Sequence, residues 1–216
     1  MTQQPIIWPS ALNSEHLDDA SLFADRHDLI RSLGEYRGGR IAELGVALGD
    51  FSRFMIDDLK PIRFDAFDLF RLHHDPRIGI SPSSEIFKGA THREFFESRF
   101  STEIQSGLVH LFEGDSSTIL SEQDSHTYDL IYVDADHTYE GVKRDAVAAL
   151  KALKPDGILV FNDYTLYDPL VHMFYGVVQI VNELCVAHGW KVSHFALESG
   201  MWCDIAVRQR RRLNLR

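Results

Sequence analysis

The chain has 216 residues, 44% of them apolar and 25% charged, proportions that suit an ordinary globular protein and exclude a disordered tail or a collagen-like rod. Its 22 Lys and Arg face 32 Asp and Glu, and five of the basic residues crowd into a tail from Arg208 to Arg216, so the body before them carries −15 against −10 for the whole chain. Nucleic acid binding draws its affinity from clustered cations, so so acidic a body argues against it and favours a small substrate, or one tethered to another protein.

In chain order, Leu22, Phe23, Ile30 and Leu33 predict a helical extension over 1–37, ended by Gly34 and the Gly38-Gly39 turn. Arg40 to Leu44 reads as a strand, and Phe51, Phe54, Met55 and Leu59 recur at helical spacing until Pro61 stops them. Ile62 to Phe67 is a second strand. An insertion over 71–105 follows, rich in His, Asp, Pro and Gly up to Ile80, with a helix near Thr91 to Phe100; placed after a strand's carboxyl end, it is expected to overhang a crevice and shape the substrate site. Leu108 to Phe112, Asp129 to Asp134 and Gly157 to Phe161 complete five short apolar strands, with the stripe Tyr139, Val142, Ala146, Leu150 and Leu153 as a crossover helix. A helix over Val177 to His188 leads to a hairpin of Lys191 to Leu197 and Met201 to Val207.

This alternation predicts a single domain over 1–216 of α/β class: a Rossmann-like, doubly wound, mostly parallel seven-stranded sheet with an antiparallel C-terminal strand closing one end. No apolar run approaches the roughly 20 residues of a membrane helix, and Met1 to Ser10 lacks a signal-peptide pattern, so a soluble cytoplasmic protein without membrane contact is expected. Cys185 and Cys203 fit neither a zinc spacing nor a disulfide framework and are expected as reduced core residues.

The first strand runs into Glu43-Leu44-Gly45-Val46-Ala47-Leu48-Gly49-Asp50, a turn whose glycines let backbone approach a ligand at a helix N-terminus. The spacing lacks the second close glycine of a pyrophosphate-binding turn, and the acid before it suits a cationic or hydroxyl-rich ligand. Asp68 ends the second strand where a nucleotide fold places a ribose-binding carboxylate, and Gly114-Asp115-Ser116 ends the third. Singly, each reads more simply as a turn; three in register point to a ligand.

From about Arg40 to Val207 the sequence resembles the class I S-adenosylmethionine-dependent methyltransferases. The resemblance implies that Glu43, Gly45 and Gly49 hold the methionine part of the cofactor, Asp68 the ribose, and Asp115 and Ser116 the border of the adenine, with Asp134 also at the cofactor. A sulfonium cofactor carries positive charge and no phosphate, in keeping with acidic walls.

Asp134-Ala135-Asp136-His137-Thr138-Tyr139-Glu140, then Lys154-Pro155-Asp156-Gly157 and Asn162-Asp163-Tyr164, resemble the subset of these enzymes that methylate oxygen with a divalent metal, the catechol and macrolide-sugar O-methyltransferases. If the fourth and fifth strands are neighbours, about 4.8 Å apart, Asp134 and Asp163 bring two carboxylates to one point, a hard oxygen site for Mg²⁺ to which Asn162 could add a neutral oxygen. His137 is the expected base for a metal-acidified hydroxyl. The plainer alternatives are Asp136 or Thr138 as a helix N-cap, Asp134 as a strand-end residue bonding amides, and His137 as a surface residue at a helix start.

The expected activity is therefore metal-assisted O-methylation of a small hydroxylated molecule, phenolic, sugar or natural-product intermediate. A metal-independent N- or carboxyl-methyltransferase, a nucleotide-dependent oxidoreductase and a non-catalytic cofactor-binding scaffold are the alternatives. Phe87, Phe95, Phe96, Tyr167, Phe174 and Tyr175 would suit a flat ring or a sugar face in the acceptor. His73 and His74 could face that substrate or lie in solvent. The Arg210-Arg211-Arg212 run is expected as a solvated terminus, with an acidic partner or a second copy in a homo-oligomer as the alternative.

Overall fold

The structure, a computed structural model, describes residues 7–209. β1 (Ser21–Phe23) and α1 (Arg26–Ser32) precede β2 (Arg40–Leu44), α2 (Asp50–Leu59) and β3 (Arg63–Asp68). The insertion holds a two-residue ladder of β4 (Arg77–Ile78) with β5 (Ser81–Pro82), then α3 (Ser83–Phe87), α4 (His92–Arg99) and α5 (Ser101–Gln105). β6 (Val109–Glu113), α6 (Ser116–Glu122), β7 (Tyr128–Val133), α7 (Tyr139–Ala152) and β8 (Leu153–Phe161) follow. A second short ladder of β9 (Tyr167–Asp168) and β10 (Met173–Phe174) leads to α8 (Val177–His188), β11 (Trp190–Ala196) and β12 (Asp204–Gln209).

The main sheet runs β1-β11-β12-β8-β7-β2-β3-β6, parallel throughout except for β12, which is antiparallel to both β8 and β11. This is the expected mostly parallel α/β sheet with an antiparallel C-terminal strand, but with eight strands. The eighth is β1: Leu22 and Phe23 pair with Phe195 and Ala196 of β11 instead of opening a helix. The helix starts only after Asp25, whose side chain accepts from the Asp28 amide at 2.9 Å and so caps it. β12 consequently lies third from the edge instead of closing the sheet. Of the basic tail, Arg208 and Gln209 end β12, and residues 210–216 lie outside those described.

Each face of the sheet carries its own core. Leu120, Val142, Ala146, Val181 and Leu184 from α6, α7 and α8 cover one face; Leu29, Phe51, Met55, Phe96 and Phe100 from α1, α2 and the insertion cover the other. Successive strand residues point to opposite faces, so a strand between two helical layers must be apolar almost throughout, and in β7 only Asp129 is not buried. Local signals then set the helix ends. Thr138 accepts from the Gly141 amide at 3.1 Å to cap α7, Thr91 and Glu94 form a capping box on α4, and Gly189 in the left-handed region ends α8. Both cysteines are buried and free, as expected.

Three buried acids interrupt the strands of the main sheet, and each has its own compensation. Asp65 accepts from Arg63 at 2.8 Å and from the Tyr128 hydroxyl at 2.6 Å. Asp204 accepts from Tyr132 at 2.5 Å and from the Asn162 amide at 3.0 Å. Glu43, 1% exposed, has only the Ser52 hydroxyl, and burial pushes its carboxyl from the usual 4.5 up to about 8.

Two stability outcomes follow from this packing. Phe96 is wholly buried and stacks on Phe100 at 4.4 Å, so Phe96→Ala is expected to lower the unfolding free energy in urea by about 3–5 kcal/mol. The folded state holds the Glu43 proton up to about pH 8 whereas the unfolded chain releases it near 4.5. The stability this contributes is complete below pH 4.5 and is lost as pH rises towards 8. Glu43→Gln is therefore expected to flatten the decline of the urea midpoint across that window, and an unchanged slope would refute the assignment.

Candidate active site

The strands that carry the site end in register. Gly45 donates to the Phe67 carbonyl at 2.8 Å, Gly114 to that of Asp68 at 2.9 Å, Asp134 to that of Leu44 at 2.8 Å and Asn162 to that of Val133 at 3.0 Å, so the ladder continues into the loops. A cavity of about 670 Å³ opens at these tips. Gly45, Asp68, Asp115, Ser116 and Asp134 all line it, together with Ala47, Asp136, Gly141, Arg144 and Asp145. Gly45 has φ +81°, and a Cβ there would fall 2.1 Å from the Asp134 carbonyl oxygen, so only glycine lets β2 and β7 converge at this point.

Glu43 and Gly49 are not among the lining residues. Glu43 points into the protein towards Ser52 of α2. Gly49 sits at the N-terminus of α2 with φ +81°, and its missing side chain makes room for the rings of Phe96 and Phe100, 2.8 and 2.7 Å from where a Cβ would stand. The second glycine of the motif thus serves the packing of the insertion. The insertion's first turn, meanwhile, supplies Arg71, Leu72, His74 and Asp75 to the wall of this same cavity.

The carboxylates of the cavity are tied to backbone and hydroxyl groups. Asp68 accepts from the Val46 and Ala47 amides at 2.9 and 3.3 Å with one oxygen and from the Phe70 amide at 2.7 Å with the other. Asp115 caps α6, accepting from Ser117 and from the Thr118 amide and hydroxyl, which lowers its pKa. Ser116 donates at 2.7 Å to Asp145, whose carboxyl burial raises to about 6. Six aspartates against two arginines, Arg71 and Arg144, leave the lining acidic on balance, which fits a cofactor bearing a sulfonium charge and ribose hydroxyls.

Asp134 also forms the edge of a second group. The Nε2 of His137 lies 3.5 Å from an oxygen of Asp134 and 3.6 Å from one of Asp163, is buried, and has no hydrogen-bond partner. Its ring stacks on Tyr175 at 4.6 Å, whose hydroxyl donates to Asp168 at 2.7 Å, and its carbonyl accepts from Gly176 at 2.7 Å. Burial raises the carboxyls of both acids; Asp163, Asp204 and Glu43 add to the rise at Asp134, while His137 opposes it at Asp163. Asp163 holds φ +56°, a conformation that costs a residue with a Cβ about 1–3 kcal/mol and is concentrated at functional sites. Asp136 accepts from the Thr138 amide at 2.9 Å while Thr138 itself is the N-cap of α7, so of the two candidates for that cap Thr138 takes it.

Asn162 is turned away from this pair, its amide donating to Asp204 and reaching the Tyr132 hydroxyl at 3.4 Å. Among the described residues, no group of three or more His, Cys, Asp or Glu side chains is arranged to hold a metal ion. Arg26 of α1 brings a positive charge towards Tyr132, Asp204 and Asp134, with its guanidinium 4.4 Å above the Phe51 ring. Arg26 and Asp145 carry no sequence signal for these places, whereas Tyr175, expected as an aromatic for the acceptor, stacks on His137 instead. A charge pattern offers no sign that one arginine of an amphipathic helix turns inward, although the Asp204 interruption of an apolar strand marks a buried acid in need of a partner. Of the aromatic candidates, Phe87 and Phe96 are core, whereas Tyr167 and Phe174 are exposed on the short ladder.

The sequence matches a family described as a methyltransferase domain over residues 42–164. No curated protein matches it. Among solved structures it is similar to the O-methyltransferase TomG of Streptomyces achromogenes, involved in tomaymycin synthesis and solved with S-adenosylmethionine, at 18% identity over 86% of this chain and 80% of that one, TM-score 0.57. It is similar also to the methyltransferase PaMTH1 of Podospora anserina, bound to the product S-adenosylhomocysteine, at 15% identity over 86% and 78%, TM-score 0.56. The tRNA methyltransferase TrmK of B. subtilis shares the fold at 11% identity over 84% and 65%, TM-score 0.53. No helix among the described residues is long and apolar enough to cross a membrane. With the family match spanning more than half of the chain and an acidic cavity at the tips of the same strands, the chain belongs to the methyltransferase-domain family, in the S-adenosylmethionine-dependent class that its sequence resembles.

Proposed function

We propose that the protein transfers the methyl group of S-adenosylmethionine to a hydroxyl oxygen of a small molecule, with His137 as the base. The observation that carries this reading is the buried, unpartnered Nε2 of His137 held between Asp134 and Asp163, beside a cavity of which Asp134 forms a wall. The cofactor supplies an electrophilic methyl on sulfur. Gly45, Ala47 and Asp134 border its place on one side, and Asp68, Asp115 and Ser116 continue the wall. Nε2 of His137 takes the acceptor's hydroxyl proton, and the two carboxylates stabilise the imidazolium formed; the freed oxygen electron pair forms the new bond to carbon as the carbon–sulfur bond breaks. Tyr175 keeps the imidazole plane fixed by stacking and is itself held by Asp168. Alignment of this kind accounts for much of the acceleration available to two bound reactants.

A second reading adds the expected Mg²⁺. It is favoured by two carboxyls raised at one point, an arrangement that a divalent cation between them would relieve. Asp134 and Asp163 would hold the ion without Asn162, and it would acidify the acceptor hydroxyl as a Lewis acid. Small-molecule O-methylation is also supported by the likeness to TomG, while the acidic body and cavity weigh against the nucleic acid substrate of TrmK.

The test is methyl transfer from labelled cofactor to a panel of phenols, sugars and hydroxylated natural products. His137→Ala is expected to lower kcat by about 10²–10⁴-fold, and a variant working at the wild-type rate ends the role of base. Loss of activity in EDTA restored by Mg²⁺ selects the metal reading; indifference to EDTA leaves His137 with the two carboxylates alone.

A further inference from the structure

We infer that His92 is a positioning residue for the cofactor: its Nε2 proton, donated to the Ala47 carbonyl, holds the glycine loop in the shape that lines the cavity. The inference rests on reading that cavity as the S-adenosylmethionine site. Three residues of the loop are left-handed, Gly45 at φ +81°, Ala47 at +43° and Gly49 at +81°, and of these Ala47 alone has a Cβ, for which the conformation is sterically costly. Ala47 lines the cavity and His92 does not, so His92 acts on the ligand through the loop.

The backbone of Ala47 is gripped from both sides. Its amide donates to Asp68 at 3.3 Å, and its carbonyl meets Nε2 of His92 at 2.5 Å. A carbonyl only accepts, so Nε2 carries the proton. His92 is wholly buried, with its ring between Phe70 at 5.2 Å and Phe87 at 5.6 Å and its own amide on Nδ1 of His73 at 3.1 Å. Its Nδ1 has no hydrogen-bond partner and lies 3.9 Å from Asp68, the carboxylate that grips the loop from the other side. A slot walled by two phenylalanines would be filled better by an apolar side chain, since an unpartnered buried nitrogen is costly. The Ala47 carbonyl is the acceptor that Nε2 reaches from that slot. Arg99 makes the neighbouring contact, donating to the Leu48 carbonyl, so α4 buttresses two successive carbonyls of the loop.

The decisive measurement is calorimetric binding of S-adenosylhomocysteine to the full chain, which needs no acceptor. His92→Leu is expected to weaken binding by about tenfold, the size of one net hydrogen bond. His92→Gln, whose amide also donates, is expected to stay within about threefold of wild type. Phe87→Leu loosens the same slot without touching the loop and is expected to leave the affinity within about twofold, so it separates positioning from packing. Once an acceptor is in hand, His92→Leu should raise the KM for S-adenosylmethionine while leaving kcat at saturation within about twofold. Equal affinity in His92→Leu, a failure of glutamine to rescue, or an equal loss in Phe87→Leu would overturn the inference while leaving the cofactor reading intact. Absence of binding by the wild type sinks that reading and this inference together. Should His92→Leu not fold, His92→Asn, polar but too short to reach the Ala47 carbonyl, replaces it with the same expected loss.

Discussion

Acidic side chains crowded at the ends of buried strands are the constraint around which the molecule is arranged. An ionised carboxylate taken from water without a partner costs several kcal/mol, so each must be bonded, paired or protonated. All three solutions occur here. Asp68 is bonded to backbone amides of the loops beside it. Asp163 and Asp134 face His137, and Asp204 takes hydroxyl and amide donors with Arg26 near by. Glu43, with burial pushing it to about 8, keeps its proton through neutral pH. The N-terminal helix contributes Arg26, which brings a positive charge towards Asp204 and Asp134, and the segment from Asp163 to Gly176 contributes Tyr175, which stacks on His137.

That arrangement explains what the sequence could disclose. The strands β2, β3, β7 and β8 were legible because a parallel strand between two helical layers must be apolar on both faces, and β7 shows this with one partly exposed residue in six. α2 was legible from its apolar spacing and from Pro61, and α7 from its spacing alone, although Leu153 of that stripe opens β8 instead of ending the helix. β1 was not, since three residues are too few for alternation to declare itself, and Leu22, 71% exposed, lies on an edge where either element would tolerate it. The place of β12 in the sheet depends on β11 folding back outside it, a tertiary choice that no local period records.

The site divides along the same line. Gly45, Asp68, Asp115, Ser116 and Asp134 sit at strand ends whose order the chain dictates, so their convergence was readable from position. Gly49 shows how the same motif misleads. Its φ is positive, as a ligand-binding turn would have it, yet the space above it belongs to Phe96 and Phe100. Asn162 departs from expectation for a different reason: just past the end of β8 its amide donates to Asp204, while the left-handed backbone of Asp163 turns that carboxylate to His137. A residue from outside the central strands, such as Arg26, reaches the site only through the packing of distant segments, and polar residues in helices read as solvated until that packing is known.

Asp134 joins the two halves of the cleft. It lines the cavity on one side and faces His137 at 3.5 Å on the other, with its own amide bonded to Leu44 in the neighbouring strand. The cavity half is built mainly from backbone, with carboxylates that are held by amides and hydroxyls, and the insertion closes against it through Arg71, His74 and α4. The His137 half is built from side chains, on a segment that bends through a left-handed Asp163 and returns by a two-residue ladder. Backbone geometry is set by the sheet and changes little with sequence, whereas side chains on short irregular segments are replaced without disturbing it. The tightest constraint therefore falls at Gly45, where any Cβ would collide with the Asp134 backbone and part the two halves from each other.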